Sequence, residues 1–163
     1  MIPSSAPAVD YERDETLLAL IRSLVKKTSR TDSRQIALLV YLTDWRSALV
    51  NGHQATTIEW RLDLRGPKTR AIEDIVRSVR AEKGRVGDML KSLSRRNAPL
   101  LDAPTTAALE HVLATTNKMG VQDLNRNVLA TWPVLHSNAE SAREVYDLAK
   151  AALEYRASKG GII

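Results

Sequence analysis

Residues 36–67 read IALLVYLTDWRSALVNGHQATTIEWRLDLRGP, and two periods meet in them. In the first half Ile36, Leu39, Val40, Leu42, Trp45 and Leu49 recur at helical spacing, which predicts a helix over about 33–50 with a broad apolar face. Asp32 or Ser33 can cap its start, because a short side-chain oxygen accepts a first-turn N–H. Asn51-Gly52 is a stop, since both residues tolerate the left-handed conformation of a helix end. Asp44 and Arg46 are expected towards the edges of this helix, on either side of a buried Trp45. In the second half Ile58, Trp60, Leu62 and Leu64 alternate with Glu59, Arg61, Asp63 and Arg65, the period of a half-buried strand. Gly66 breaks the alternation, and Pro67 suits the first turn of a following helix.

Working outward, Leu17, Leu20, Ile21 and Leu24 predict an amphipathic helix over 13–28. Beyond Pro67 a helix over 67–81 places Ile72, Ile75, Val76 and Val79 inside and Arg70, Arg77 and Arg80 outside, with Gly84 at its end. Residues 85–102 allow two readings: two short strands around the basic turn Ser94-Arg95-Arg96-Asn97, or a short helix over 87–94. Asp102 and Pro104 open a helix with Leu109, Val112 and Leu113 inside, closed by Gly120. Another begins near Val121, carries Leu124 and Val128, and runs to Pro133. Ser137-Asn-Ala-Glu140 has the spacing of a capping box. It is expected to open a last helix lined by Ala142, Val145, Leu148, Ala149, Ala152 and Leu153.

The expected class is mainly α with a small central β element (α+β): about six helices and a two- or three-stranded antiparallel sheet. One domain is expected over 13–158, with a flexible lead at 1–12 and a flexible tail at 159–163. The start MIPSSAPAVDYERDE lacks the basic segment and apolar run of a secretory signal. No apolar run approaches the roughly 20 residues that span a bilayer. A cytoplasmic protein without a membrane partner is therefore expected.

The chain has no Cys, which excludes disulfides, thiolate metal sites and cysteine nucleophiles. His53, His111 and His136 show no metal-ligand spacing, and neither a metal nor a cofactor is expected. There is no nucleophile elbow, P-loop or dinucleotide fingerprint. Asp44 with Glu59 is a formal carboxylate pair, but two solvated or salt-bridged residues at element edges is the stronger reading. No catalytic residue is assigned.

The net charge of +5 is concentrated. Residues 61–96 hold eleven Lys/Arg against five Asp/Glu, while the flanking regions are nearly balanced. Such a region fits an acidic protein surface or nucleic acid. Arg95-Arg96 at a hairpin tip would match the wing of a winged helix on DNA phosphates, so a nucleic-acid-binding regulator stands as an alternative.

Three phrases now combine: Ile36-Ala-Leu-Leu-Val-Tyr-Leu-Thr-Asp44-Trp45, then Gly52-His-Gln-Ala-Thr-Thr-Ile58-Glu-Trp60, then Gly66-Pro67. Together they resemble the Panacea, or SocA-like, antitoxin domain. Val121-Gln-Asp-Leu124 and Ala130-Thr-Trp-Pro133 are similar to the late helix of that family. The likeness spans roughly 15–155 and is most specific over 36–67. Lys68 stands where the family commonly has Tyr, and Ala130-Thr131 where many members carry a His. The resemblance implies a non-catalytic binding protein that neutralises a cognate toxin by direct contact. In the SocA-like branch it implies an adaptor that hands the toxin to a Clp-type protease.

The chain has no Phe and only three Trp, so two Trp in one short stretch need a reason. The stronger reading packs Trp45 against Trp60 between helix and strand. The other leaves one indole edge exposed beside Arg46 or Arg61 as a contact anchor. The expected partner-binding set is Asp44, Arg46, Trp60, Arg61, Arg65, Lys68, Arg70 and Arg77.

Overall fold

A computed structural model describes residues 14–28, 32–85, 101–138 and 142–160. The arrangement is mainly α with a small β element: seven helices and a two-stranded antiparallel sheet among the described residues. In chain order these are α1 (Glu15–Lys27), α2 (Ser33–Asn51), β1 (Arg61–Asp63), β2 (Gly66–Lys68), α3 (Ala71–Arg85), α4 (Ala103–Thr116), α5 (Val121–Leu129), α6 (Trp132–Leu135) and α7 (Leu148–Ser158).

The architecture is organised around α2, on which α1, α3, α4, α5 and α7 all pack. Every residue from Leu38 to Trp45 is buried, so the helix is enclosed on more than the one broad face its apolar spacing suggests. Enclosure obliges its polar side chains to find partners. Thr43 Oγ1 donates to the Leu39 carbonyl at 2.8 Å, and Ser47 Oγ donates to the His53 carbonyl at 2.8 Å. The ends follow the expected chemistry. Asp32 accepts from Arg34 N at 2.8 Å, and Gly52 takes φ 83° with its N–H on the Ala48 carbonyl.

The sheet is a hairpin in the register Arg61↔Lys68, Leu62↔Pro67, Asp63↔Gly66. This corrects two expectations. The strand is only three residues long, because the chain turns at Leu64-Arg65, and Leu64 points into solvent instead of continuing the alternation inward. Pro67 lies in β2, not in the first turn of α3, which begins at Ala71. A residue without an N–H is tolerated there because β2 has no second neighbour among the described strands.

Two bonds tie the hairpin region to α2. Trp60 meets Asp44 at one end, and the Arg65 carbonyl meets Arg34 at the other.

Two helices late in the chain differ from expectation. α5 stops at Leu129, and Pro133 sits in the first turn of the separate helix α6. The last helix begins at Leu148, not after Ser137. Its cap is Asp147, which accepts from Lys150 N at 3.0 Å. Tyr146 N donates to the Trp60 carbonyl at 2.7 Å, which commits the residues before Asp147 to the side of β1. Val145 and Leu153 are consequently exposed, and Leu148, Ala151 and Ala152 form the buried face. The strand or helix readings of 85–102, with Arg95-Arg96, fall almost wholly outside the described residues. No described helix is long and apolar enough to cross a membrane.

Candidate functional site

Asp44 is 0% exposed, inside the protein and not at a helix edge. Its carboxylate accepts from Thr56 N at 2.9 Å, Thr56 Oγ1 at 2.6 Å and Trp60 Nε1 at 2.8 Å. A buried anion is tolerated only with such donors. Burial pushes its pKa up from 3.8 to about 6, and the bonds from Thr56 and Trp60 hold back a larger rise. Asp44 is enclosed as an acceptor while Glu59 is exposed, so the two are not both solvated residues at element edges.

The next residue repeats the device. Thr57 donates its N–H at 2.9 Å and its hydroxyl at 2.6 Å to Asp14, whose other oxygen caps α1 by accepting from Leu17 N. Thr56 and Thr57 thus face opposite ways, each giving two protons to one carboxylate, and pin the loop between α2 and β1. Gln54 Nε2 adds bonds to the Thr56 and Ile58 carbonyls, each at 2.8 Å. The sequence pattern singled out neither Asp14 nor the Thr pair. The readable signal was Thr-Thr before an apolar alternation that starts at Ile58, which presents adjacent hydroxyls to opposite sides.

Trp60 is fully buried, with its ring edge-on to Tyr41 at 5.5 Å. Trp45 is also buried, but its ring partner is Tyr155 at 6.1 Å, not Trp60. The two indoles are drawn to different elements, Trp60 by Asp44 and Trp45 by α7. The reading of Trp60 as an exposed contact anchor is corrected by the same burial. Tyr41 donates to Thr131 Oγ1 at 2.9 Å, since the Thr131 proton goes to the Val128 carbonyl.

The cations separate into groups. Arg61 and Lys68 are directly opposed across the hairpin, an unfavourable pairing. They part: Lys68 Nζ reaches Asp63 at 2.5 Å, and Arg61 donates to the Arg143 carbonyl. Arg77 lies 3.7 Å from Asp74 on the outer face of α3. Arg65 and Arg70 are exposed and make no ion pair among the described residues. Arg46 is half-buried and close enough to His111 on α4 to hold the imidazole pKa down, after burial, which is the larger cause. It stands twelve residues from Arg34, about 18 Å along α2, and does not join the hairpin tip.

Asp44 and Trp60 therefore leave the expected contact set, and Arg61, Arg65, Lys68, Arg70 and Arg77 remain on the surface. The tip adds residues that sequence reasoning missed. Leu64 is 77% exposed, and Leu129 at the end of α5 is 36% exposed. Leu129 Cδ2 lies 3.7 Å, and Arg34 Nη2 3.8 Å, from the position a Cβ on Gly66 would take. These are ordinary contacts, so the need for glycine comes from φ 109° and not from space.

No group of three or more His, Asp or Glu side chains able to hold a metal occurs among the described residues. A groove of about 670 Å³ lies between the α1–α2 and α4–α5 junctions, and among the described residues its charged lining is Lys27 and Asp32. No family model, curated protein or solved structure matches the chain.

Proposed function

We propose that this protein is an antitoxin that neutralises a cognate toxin by direct protein–protein binding, without catalysis, in the cytoplasm. The observation that carries the reading is the hairpin: an exposed leucine and exposed arginines on a short turn, with Trp60 just before its first strand bonded to buried Asp44. A rigid, charged, partly apolar projection suits a binding surface, because less ordering is lost on association. The likeness of 36–67 to Panacea-type antitoxins names the partner class. Handing the bound toxin to a Clp-type protease is an extension of the same reading.

The test is co-expression of the tagged protein with the product of its neighbouring gene, followed by pull-down after nuclease at about 0.5 M salt, where phosphate-driven contacts are lost. Stoichiometric recovery of a neighbour that arrests growth when expressed alone is the expected result. Recovery of nucleic acid and no protein, at low salt without nuclease, would replace the antitoxin reading with the nucleic-acid-binding alternative.

A further inference from the structure

We infer that the contact point is the hairpin tip, with Leu64 and Leu129 as the apolar centre and Arg34 and Arg65 as its rim, and that it takes an acidic protein segment presenting an apolar side chain. This rests on the antitoxin reading and narrows it to one patch and one partner chemistry.

Leu64 is the most exposed large apolar side chain among the described residues, at 77%. It is not loosely placed. Asp63 Oδ1 accepts from Arg65 N at 2.7 Å, Gly66 supplies the positive φ, and Arg34 Nη2 donates to the Arg65 carbonyl at 3.4 Å. The turn is thereby shaped before any partner arrives. Leu129 reaches the same turn at Gly66, its Cδ2 lying 3.7 Å from where a Cβ on that glycine would stand. Asp63, next to Leu64, is paired with Lys68, so Arg34 and Arg65 leave the turn with an excess of positive charge. A cationic rim selects an acidic partner and speeds its encounter. The apolar centre favours a protein over a nucleic acid, whose outer face is phosphate. Arg61 and Lys68 are exposed but already engaged, by the Arg143 carbonyl and by Asp63, and are not counted in the patch.

The probe is the purified product of the neighbouring gene, titrated into the full chain at about 0.15 M salt, where exposed charges more than about 8 Å apart are screened. Leu64→Ser and Arg65→Glu are each expected to weaken binding about tenfold or more, and Arg77→Glu by less than about threefold. All three should unfold thermally like the wild type, since none removes a buried contact. If the neighbour binds the wild type and both tip variants equally, the contact lies elsewhere and the tip assignment fails, while the antitoxin reading stands. If the wild type does not bind the neighbour but binds a DNA duplex, with affinity falling steeply as salt rises, both fail.

Discussion

Asp44 and Leu64 stand twenty residues apart, and each occupies the place composition would give the other. The aspartate is inside with no exposed surface, and the leucine is among the most exposed side chains described. The difference is one of available partners. Three donors converge on Asp44 from residues twelve and sixteen positions away, which makes an interior site tolerable for a carboxylate. Leu64 meets a turn where the alternation ends, and its side chain is left exposed there. Burial here follows what the rest of the fold supplies, not the polarity of the residue alone.

The interior half of that comparison is broken most strongly by truncating its members. Trp60→Ala is expected to cost about 3–5 kcal/mol through the cavity it leaves. Asp44→Ala is expected to cost about 3–4 kcal/mol, because it strands the donors of Thr56 and Trp60. Denaturant unfolding followed by circular dichroism measures both.

The ionisation of Asp44 sharpens the same point. Its folded pKa of about 6 lies above the ordinary 3.8, so its contribution to stability is fully present below about 3.8 and is lost as pH rises through about 6. The gap corresponds to on the order of 3 kcal/mol. Asp63 and Asp102 act in the opposite sense: bonds from Lys68 and Thr105 respectively lower their pKa values, so they favour the fold as pH rises. Comparison with Asp44→Asn isolates the term. The variant should show a flatter stability profile between about pH 4 and 7, and parallel profiles would place the Asp44 carboxylate in water.

Smaller effects are expected towards the tip. Gly66→Ala should cost about 1–2 kcal/mol, from a side chain forced to positive φ and not from a clash. Arg77→Glu should change stability by no more than about 0.5 kcal/mol, since its ion pair with Asp74 is exposed. A large loss from Arg77→Glu would mean that the outer face of α3 is part of the structural support.

Much of this fold is legible in local pattern. Both ends of α2, the buried face of α3 and the Asp102 cap of α4 follow from apolar spacing and capping chemistry, which act within a few residues. What was not legible is set by distant contacts. Ser137 to Glu140 carries the pattern of a helix start, yet the helix waits for Asp147 because Tyr146 is bonded to Trp60, far away in sequence. Trp45 and Trp60 look like partners by proximity in the chain and separate because Tyr155 and Asp44 draw them apart. The candidate surface was half legible. Arg65 was visible within the charge excess of 61–96, Arg34 was not, and the alternation that located β1 also assigned Leu64 to the wrong side.

The most direct test of this division between interior support and exposed contact is a titration of the ¹⁵N-labelled protein with the product of the neighbouring gene, followed by amide and indole resonances. The amides of Arg65, Gly66 and Leu129 should move or broaden together, while the Trp60 indole N–H stays in place on Asp44. A Trp60 indole that shifts while the tip amides remain still would contradict the assignment of Trp60 to support and Leu64 to contact.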